Sequence, residues 1–420
     1  MVQNALFPYR HRITPWLRKR YGDIFAVSLM GRRYVLLCSP ELNRIVFAGE
    51  ESTFHGGEAK FVALRRVLGE HSVVSTDEAA HQRIRKLLMP PFRGAALPTY
   101  RNMIRELAAE EVNRWPVDTP FAAQPRMNAL TLEIILRVVL GVTEGPQLEE
   151  LRRALARLLS TPLPVFAGEA VTPLQRFGPW KRFRELMARI DQLLYAEIRQ
   201  RRSAANTADR SDVLSRLVAS QVDEDRLSDA ELCDQMVSLL LAGHDTTATS
   251  LSWTLHDLAR DPVLQDKVFA AVDTGDDKYI EAVVKESLRL HPVFFTVART
   301  VTHDVELGGY RIPAGYVLWP GIGPIHADPV QHADPHMFRP EWFLDGSATP
   351  ATWLPFGGGV RYCLGAGFAL LEATTILREV LLTNRLAPVR TRPEKTHARH
   401  IILEPSHGAR IKVRPRSMAT

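Results

Sequence analysis

A cysteine lies inside a glycine-rich loop in the stretch F-G-G-G-V-R-Y-C-L-G-A-G, residues 356–367. Glycines let a backbone turn tightly or lie close to another group. The residues that follow predict a helix, so Cys363 would lie near a helix N-terminus, where the dipole and free N–H groups favour a thiolate. A thiolate in such a loop is typical of a metal ligand or a nucleophile.

Several chemistries compete for this loop. A phosphate cradle is disfavoured, because no Gly-Lys-Ser/Thr follows and Tyr362 stands where G-x-G-x-x-G needs its third glycine. A structural zinc site needs further ligands with the right spacing, and none is present. A cysteine nucleophile with a distant histidine stays open. A single thiolate can also bind haem iron without a second cysteine. On the loop alone, a ligand and an inert core cysteine are equally well supported.

Composition narrows the class of protein. The chain has 420 residues, of which 45% are hydrophobic and 24% charged, as in a soluble globular enzyme. Its three cysteines, Cys38, Cys233 and Cys363, are far apart, which favours a reducing cytoplasm over a disulfide framework. A dispersed net charge of +6 argues against nucleic-acid binding and favours a local basic face for an acidic protein partner. The N-terminus has no long apolar run, so we expect neither a signal peptide nor a transmembrane anchor.

One long helix carries polar residues at its centre. Ser228 and Glu231 fit a capping box, and Asp261-Pro262 ends the pattern, which predicts about 32 residues and roughly 48 Å of helix. A glycine at position 243 costs about 1 kcal/mol in a helix interior, and Asp245 and Thr246 follow at once. We expect a local widening at Ala242-Gly243 where a small ligand or water inserts; a solvated surface turn is the alternative.

The remaining pattern predicts a mainly α fold with a minor β part, in a single compact domain over residues 1–420. Two short strands joined at Met30-Gly31-Arg32 precede a helix after Pro40. Residues 78–260 are almost entirely helical in pattern. The stretch V-E-L-G-G-Y-R-I-P-A-G-Y-V-L-W-P, residues 305–320, predicts a small hairpin.

Taken together, these motifs resemble those of the cytochrome P450 family. The loop matches F-x-x-G-x-R-x-C-x-G, the haem-binding loop of that family. The stretch 242–247 is similar to its oxygen-binding groove, Glu286 and Arg289 to its E-x-x-R pair, and residues 338–341 to its meander. The four motifs follow the family's order over most of the chain. The resemblance therefore implies the cytochrome P450 fold as a single haem domain.

The resemblance also implies a cofactor, haem b, with Cys363 as axial thiolate. Phe356 would pack beside the sulfur, and the loop glycines would let the backbone lie against the porphyrin. The other expected cofactor-binding residues are the loop positions Gly359 and Gly365, the groove positions Ala242 and Gly243, and the propionate partners His81, Arg85, Arg299 and Arg361. Asp245 and Thr246 are the expected catalytic residues, since they would deliver protons to the reacting oxygen.

One position departs from the family pattern. The E-x-x-R pair is buried in the family and organises the cysteine loop, together with an arginine two residues after the meander proline. Trp342 stands there in this chain. We expect Arg339 or His336 to substitute, or the network to be looser. A pair three residues apart could also be an ordinary exposed ion pair worth a few tenths of a kcal/mol.

The implied activity is insertion of one oxygen atom from O₂ into a hydrophobic small molecule. No flavin or ferredoxin segment is apparent, so electrons would come from a separate ferredoxin and ferredoxin reductase. A peroxide-driven peroxygenase, against which the Asp245-Thr246 pair argues, and a non-catalytic haem sensor or carrier are the alternatives. We expect the apolar segments 73–74, 240–242 and 293–297 and a lid at 161–180 to face the substrate, with His244 and Thr296 as polar contacts.

Overall fold

A β-hairpin near the N-terminus begins the largest sheet. Strand β1 (Ile24–Leu29) runs antiparallel to β2 (Arg32–Leu37), with Ile24 opposite Leu37. This confirms the two predicted strands, although Met30 of the predicted turn lies outside the described residues. β2 lies parallel to β8 (Val317–Pro320). With β5 (Arg299–Val301) and β3 (Phe54–His55), the five strands follow the order β1-β2-β8-β5-β3.

The computed structural model describes residues 7–29, 31–59, 62–141, 144–162, 164–165, 176–205, 207, 210–219 and 226–416. Their helices are α1 Arg10–Tyr21, α2 Pro40–Ala48, α3 Val62–Leu68, α4 Glu78–Leu88, α5 Leu97–Val112, α6 Ala123–Leu140, α7 Pro146–Leu159, α8 Gly178–Ser203, α9 Val213–Ala219, α10 Asp229–Arg260, α11 Pro262–Thr274, α12 Asp277–Leu290, α13 Gly323–His326 and α14 Ala366–Thr383. The other strands are β3 Phe54–His55, β4 Phe121–Ala122, β5 Arg299–Val301, β6 Val305–Leu307, β7 Tyr310–Ile312, β9 Asn384–Pro388, β10 Thr396–Arg399, β11 Ile402–Pro405 and β12 Arg410–Pro415. The mainly α fold with a minor β part is confirmed.

The described residues divide into two units. The first comprises those within 1–54, 97–131 and 245–420, and the second those within 55–96 and 132–244. Helices α6 and α10 each supply residues to both units. The single domain over residues 1–420 stays a prediction.

In the first unit, α2 covers one face of the sheet. Leu42 and Val46 of α2 pack with the buried strand residues Leu37 and Leu318. The Ser39 hydroxyl accepts the Leu42 N–H at 3.2 Å and caps the helix, which begins at Pro40 as predicted. The end of α2 lies beside the cysteine loop.

The predicted hairpin at 305–320 is only partly correct. β6 and β7 form the hairpin, and their turn places Gly308 and Gly309 at φ 59° and 79°, values that glycine adopts without strain. β8 instead leaves the hairpin and joins the large sheet between β2 and β5. Its four buried residues explain the difference, because a strand buried along its length needs neighbours on both sides.

The long helix α10 has the predicted bounds. The Ser228 hydroxyl accepts the Glu231 N–H at 3.2 Å, and the Glu231 carboxylate accepts the Ser228 N–H at 2.8 Å. All 32 residues are α-helical, so the expected widening at Ala242-Gly243 does not interrupt the helix. A Cβ at position 243 would lie 2.7 Å from Ile135 of α6, so this glycine permits close packing within the second unit.

Within the second unit, α4 is amphipathic and turns one face inward. His81, Ile84 and Leu88 are its buried residues. Arg83 on its other side donates to Glu231 at 2.8 Å, which joins α4 to the first turn of α10. Among the described residues, no helix is both long and apolar enough to cross a membrane.

Candidate functional site

Glu286 and Arg289 lie on one face of α12 and form a fully buried ion pair. Arg289 Nε and Nη2 each donate to one Glu286 oxygen at 2.8 Å. The two side chains are 0% and 1% exposed, so the exposed surface pair considered from the sequence is excluded. Two charges taken out of water require further hydrogen bonds to compensate for their lost hydration.

Those hydrogen bonds come from the segment between α13 and the meander. Arg289 donates to the carbonyls of His326 at 2.9 Å, Pro335 at 2.8 Å and Met337 at 3.0 Å. Glu286 accepts the backbone N–H of Arg339 at 2.7 Å. The pair therefore holds four backbone groups between the end of α13 and the meander.

This arrangement explains how the chain accommodates Trp342. The Arg339 guanidinium does not take the place of the missing arginine; the backbone N–H of this residue makes the contact with Glu286. Its guanidinium lies 4.5 Å above the Trp342 ring instead. A cation over an aromatic ring is stabilising, so Trp342 holds the Arg339 side chain at the surface of the network.

A buried histidine extends the network toward the cysteine loop. The Leu354 N–H donates to His326 Nε2 at 2.8 Å, so the proton of this ring is on Nδ1. Burial, with smaller effects from His332 and Arg289, lowers the pKa of His326 to about 3, which keeps the ring neutral. Trp353 Nε1 also donates to the Lys285 carbonyl of α12 at 3.1 Å. The residues just before the loop are thus tied to the helix of the ion pair.

The cysteine loop folds back on itself before α14 begins. The Cys363 N–H donates to the Phe356 carbonyl at 3.0 Å, which places the predicted loop residues side by side. The Phe356 ring meets Trp353 edge to face, with the ring centroids 5.7 Å apart. Gly359, at φ 68°, needs the left-handed conformation that glycine favours.

The structure gives a further reason for the loop glycines. A Cβ at Gly359 would lie 1.9 Å from the Phe47 carbonyl oxygen, and one at Gly358 would lie 2.6 Å from the Phe47 ring. These glycines let the loop pack on the end of α2. Of the two predicted loop glycines, Gly359 and Gly365, only Gly365 has open space where a Cβ would lie, with no atom within 4 Å. It can admit a flat group against the backbone.

Cys363 differs from the other cysteines in access and environment. It is exposed, whereas Cys38 and Cys233 are buried. Burial raises the pKa of Cys38 to about 12, and burial followed by the nearby Asp191 raises the pKa of Cys233 as well. A thiolate is therefore disfavoured at both buried positions. The residues present fit a haem-iron ligand at Cys363, since the sulfur is reachable and the loop around it is held rigidly.

The predicted propionate partners fall into two groups. In the first unit, Arg361 Nη2 lies 2.9 Å from Glu51 Oε1, and Arg299 donates to its neighbour's carbonyl at 2.9 Å and lies 5.9 Å from the Phe47 ring. In the second unit, His81 is buried and Arg85 half-buried, one helical turn apart on α4. Arg361 thus already has a carboxylate partner, which the sequence did not indicate.

Asp245 is held by an arginine that the motifs did not include. Arg399 Nη2 donates to both Asp245 oxygens, at 2.7 Å and 2.9 Å. Asp245 is buried, and it contacts the partly exposed Arg399. Thr246 is half-buried, and Ala242, one turn earlier on α10, is exposed. No local pattern could have identified Arg399, because it lies 154 residues away from Asp245.

A second missed residue is Glu372, which is fully buried on α14. Burial raises the pKa of this carboxyl well above 4.5, although a hydrogen bond with Thr247 lowers it. Neither carboxyl oxygen has a well-aligned hydrogen-bond partner among the described residues. Burial therefore favours the protonated form of Glu372, which lies beside Thr247, the residue that follows Thr246.

Of the ten residues predicted to face the substrate, Leu240, Val293 and Phe295 are buried, and the others are half-buried or exposed. Val293 and Phe295 are buried, and a Cβ at Gly323 would lie 2.3 Å from the Phe295 ring. His244 is also buried, and its Nδ1 donates to the Leu240 carbonyl one turn earlier, at 2.5 Å. The Nδ1 atom of this ring is thus bonded within its own helix. The predicted lid lies largely outside the described residues.

Comparisons with known proteins agree with this site. The family model for cytochrome P450 matches residues 4–413. Cytochrome P450 135A1 of Mycobacterium tuberculosis is 44% identical over 421 residues, covering 99% of this chain and 93% of the relative. Cytochrome P450 135B1 of Mycobacterium bovis is 40% identical over 98% of this chain and 89% of its own length.

A solved structure shows the same fold. The retinoic-acid-bound cyanobacterial CYP120A1 matches with a TM-score of 0.88 and 24% identity, over 99% of this chain and 96% of that one. The chain belongs to the cytochrome P450 family, the haem-thiolate monooxygenases. Its cofactor is haem with a cysteine thiolate as ligand, and the fold expected from the sequence motifs is confirmed.

The buried pair predicts a large stability effect. Arg289→Leu leaves the Glu286 carboxylate unpaired and three carbonyls without their donor, so unfolding in guanidinium should show a loss of about 3–5 kcal/mol. Arg311→Leu is the control, since Arg311 pairs with Asp304 at 2.7 Å but is 77% exposed, and should cost less than about 1 kcal/mol. Equal losses in the two variants would contradict the buried-pair account.

Glu372 predicts a pH-dependent stability difference. Its pKa is raised in the folded state, so the unfolded chain releases this proton first and stability falls as pH rises above 4.5. Glu372→Gln removes that loss, so its free energy of unfolding should rise relative to that of the wild type by up to about 1.4 kcal/mol per pH unit. Urea unfolding between pH 5 and 8 measures the difference, and a constant offset would show that Glu372 is ionised in the folded protein.

Proposed function

We propose that this protein inserts one oxygen atom from O₂ into a hydrophobic small molecule, using haem b bound through Cys363 in one haem domain over residues 1–420. The observation that carries the proposal is the exposure of Cys363 in a loop tied to the Glu286–Arg289 pair. The other two cysteines are buried and have raised pKa values.

When bound, haem supplies the redox chemistry that activates dioxygen, and a thiolate ligand favours cleavage of the O–O bond. Cys363 would hold the iron, and Gly365 leaves room for the ring beside the loop backbone. Arg299, His81 and Arg85 would neutralise the propionates. Arg361 would share its charge between a propionate and Glu51, 2.9 Å away. Phe356 would keep water from the sulfur.

Proton delivery is the task of Asp245 and Thr246. On a regular helix, adjacent side chains diverge by about 100°, which agrees with the buried Asp245 and the half-buried Thr246. Thr246 Oγ1 would present a proton to the reacting oxygen, next to the exposed Ala242 and Gly243 of the same helix. Asp245 would resupply that proton from the adjacent, buried face of the helix. A peroxide-driven reaction needs no such supply, so the pair favours a monooxygenase.

Electrons would come from a ferredoxin and its reductase in the cytoplasm. The net charge of +6 suits an acidic electron carrier. Three cysteines without a disulfide framework support a reducing compartment. The apolar composition of the segments around α10 supports a hydrophobic substrate.

Replacing the ligand tests the assignment of Cys363. The reduced carbon monoxide complex should show the far-red-shifted Soret band of a thiolate ligand, and Cys363→Ser should abolish it because a serine oxygen is no thiolate. Absorption spectra after dithionite reduction under carbon monoxide measure the band. Cys38→Ser and Cys233→Ser are the matched controls and should keep it. An intact band in Cys363→Ser would end the proposal.

Replacing the hydroxyl tests the proton step. Thr246→Ala should bind haem and substrate as the wild type does, but should release hydrogen peroxide in place of product, because no hydroxyl presents the proton. The measurement is product and peroxide per NADPH consumed, with a substrate identified by its shift of the Soret band. Thr249→Ala, on the same helix and buried against Gln124 at 2.9 Å, is the control. Unchanged coupling in Thr246→Ala would reduce the residue to a structural role.

A further inference from the structure

Arg399 bridges two carboxylates in the first unit. Its Nη2 donates to both oxygens of Asp245, at 2.7 Å and 2.9 Å, and its Nε donates to Glu404 Oε2 at 2.7 Å. Asp245 is 2% exposed, Glu404 16% and Arg399 23%, so the cluster runs from a buried acid toward a more accessible one. One cation between two carboxylates leaves the triad with a net charge of −1.

The C-terminal hairpin places Arg399 at this point. Arg399 of β10 pairs with Ile402 of β11 across a turn in which His400 has φ 55°. Glu404 lies two residues beyond Ile402 and therefore on the same face of the hairpin as Arg399. The Leu403 N–H donates to the Val293 carbonyl at 2.8 Å, and Trp253 Nε1 of α10 donates to the Leu403 carbonyl at 3.4 Å. The hairpin is thereby anchored beside the helix that carries Asp245.

The two ends of the guanidinium are not equivalent. With both Asp245 oxygens held by one nitrogen, neither oxygen is free to take a proton without breaking a charge-assisted hydrogen bond. A buried carboxylate that lost its cation altogether would be strongly destabilised. Glu404 gives Arg399 a second anionic partner only one hydrogen bond away, so the guanidinium can shift toward Glu404 and stay neutralised.

We propose that Arg399 and Glu404 are positioning residues for proton delivery through Asp245, an inference that rests on the proposed function. When Arg399 shifts toward Glu404, one Asp245 oxygen is released and accepts a proton. Asp245 passes that proton on toward Thr246 Oγ1 and returns to Arg399. The triad charge changes from −1 to 0 and back, so protons balance over the cycle and no other reactant is needed.

Glu404→Gln tests this inference most sharply, because a purely structural clamp would keep Arg399 on Asp245 and lose nothing. Without Glu404, Arg399 should bind Asp245 permanently and slow proton transfer. We expect NADPH oxidation, with a ferredoxin and its reductase and no added substrate, to slow roughly fivefold, the factor for about 1 kcal/mol in a barrier. The solvent isotope effect in D₂O should rise. Hydrogen peroxide should increase at the expense of water, since reducing dioxygen to water takes twice as many protons.

Two further variants complete the design. Arg399→Lys keeps a point charge that cannot hold Asp245 and Glu404 together, so it should share the slower rate and the larger isotope effect. Glu306→Gln is the matched control, since Glu306 lies opposite Arg311 in an exposed hairpin and should leave both unchanged. All variants should keep the thiolate Soret band and the affinity of the reductase system.

A stability measurement checks the pairing without using activity. In urea unfolding, Arg399→Gln should lower the midpoint, and adding Asp245→Asn should recover part of the loss because the buried charge is gone. If the two substitutions instead lowered stability additively, the pairing of Arg399 with Asp245 would be overturned. A wild-type rate and isotope effect in Glu404→Gln would overturn the inference alone. Absence of NADPH oxidation in the wild type would overturn it together with the proposed function.

Discussion

The buried pair of Glu286 and Arg289 is the interaction on which the site depends. A carboxylate and a guanidinium at 0% and 1% exposure are tolerated only where hydrogen bonds replace their hydration. Here those bonds come from backbone groups of His326, Pro335, Met337 and Arg339. The requirement to satisfy two charges therefore fixes the path of a segment that has little regular structure of its own.

The cysteine loop is held from two directions. On one side, His326 and the Trp353 indole tie the residues before the loop to the helix of the ion pair. On the other, Gly358 and Gly359 allow Phe47 at the end of α2 to touch the loop backbone. The first contacts act just before the loop and the second act on its glycines, and Cys363 is left exposed. A ligand sulfur must be both fixed in position and reachable, and this packing supplies the two properties together.

Local patterns in the sequence predicted the local structure and the chemistry of the site. The capping box at Ser228, the helix after Pro40, the E-x-x-R pair and the cysteine in its glycine loop all have signals within a few residues, and each was found where expected. The fold itself followed from the order of four motifs, and the family comparison confirmed it.

Contacts between distant segments had no such signal. Arg399 and Asp245 are 154 residues apart, and nothing near either residue indicates the other. The same holds for Glu51 beside Arg361 and for Ile135 beside Gly243. Sequence reasoning therefore attributed Gly243 and Gly359 to ligands and missed the neighbouring side chain or backbone against which each glycine packs. The β8 strand was misassigned for the same reason, since its partners come from other parts of the chain.

Hydrogen–deuterium exchange tests most directly whether the buried pair positions the cysteine loop. Arg289→Lys keeps the charge but loses the planar fork that reaches Glu286 and the carbonyls together. Exchange followed by mass spectrometry should then be faster in peptides covering residues 335–365 and unchanged in those covering the anchored hairpin at 396–405. Unchanged exchange across residues 335–365 in this variant would contradict the central claim that the pair holds the loop.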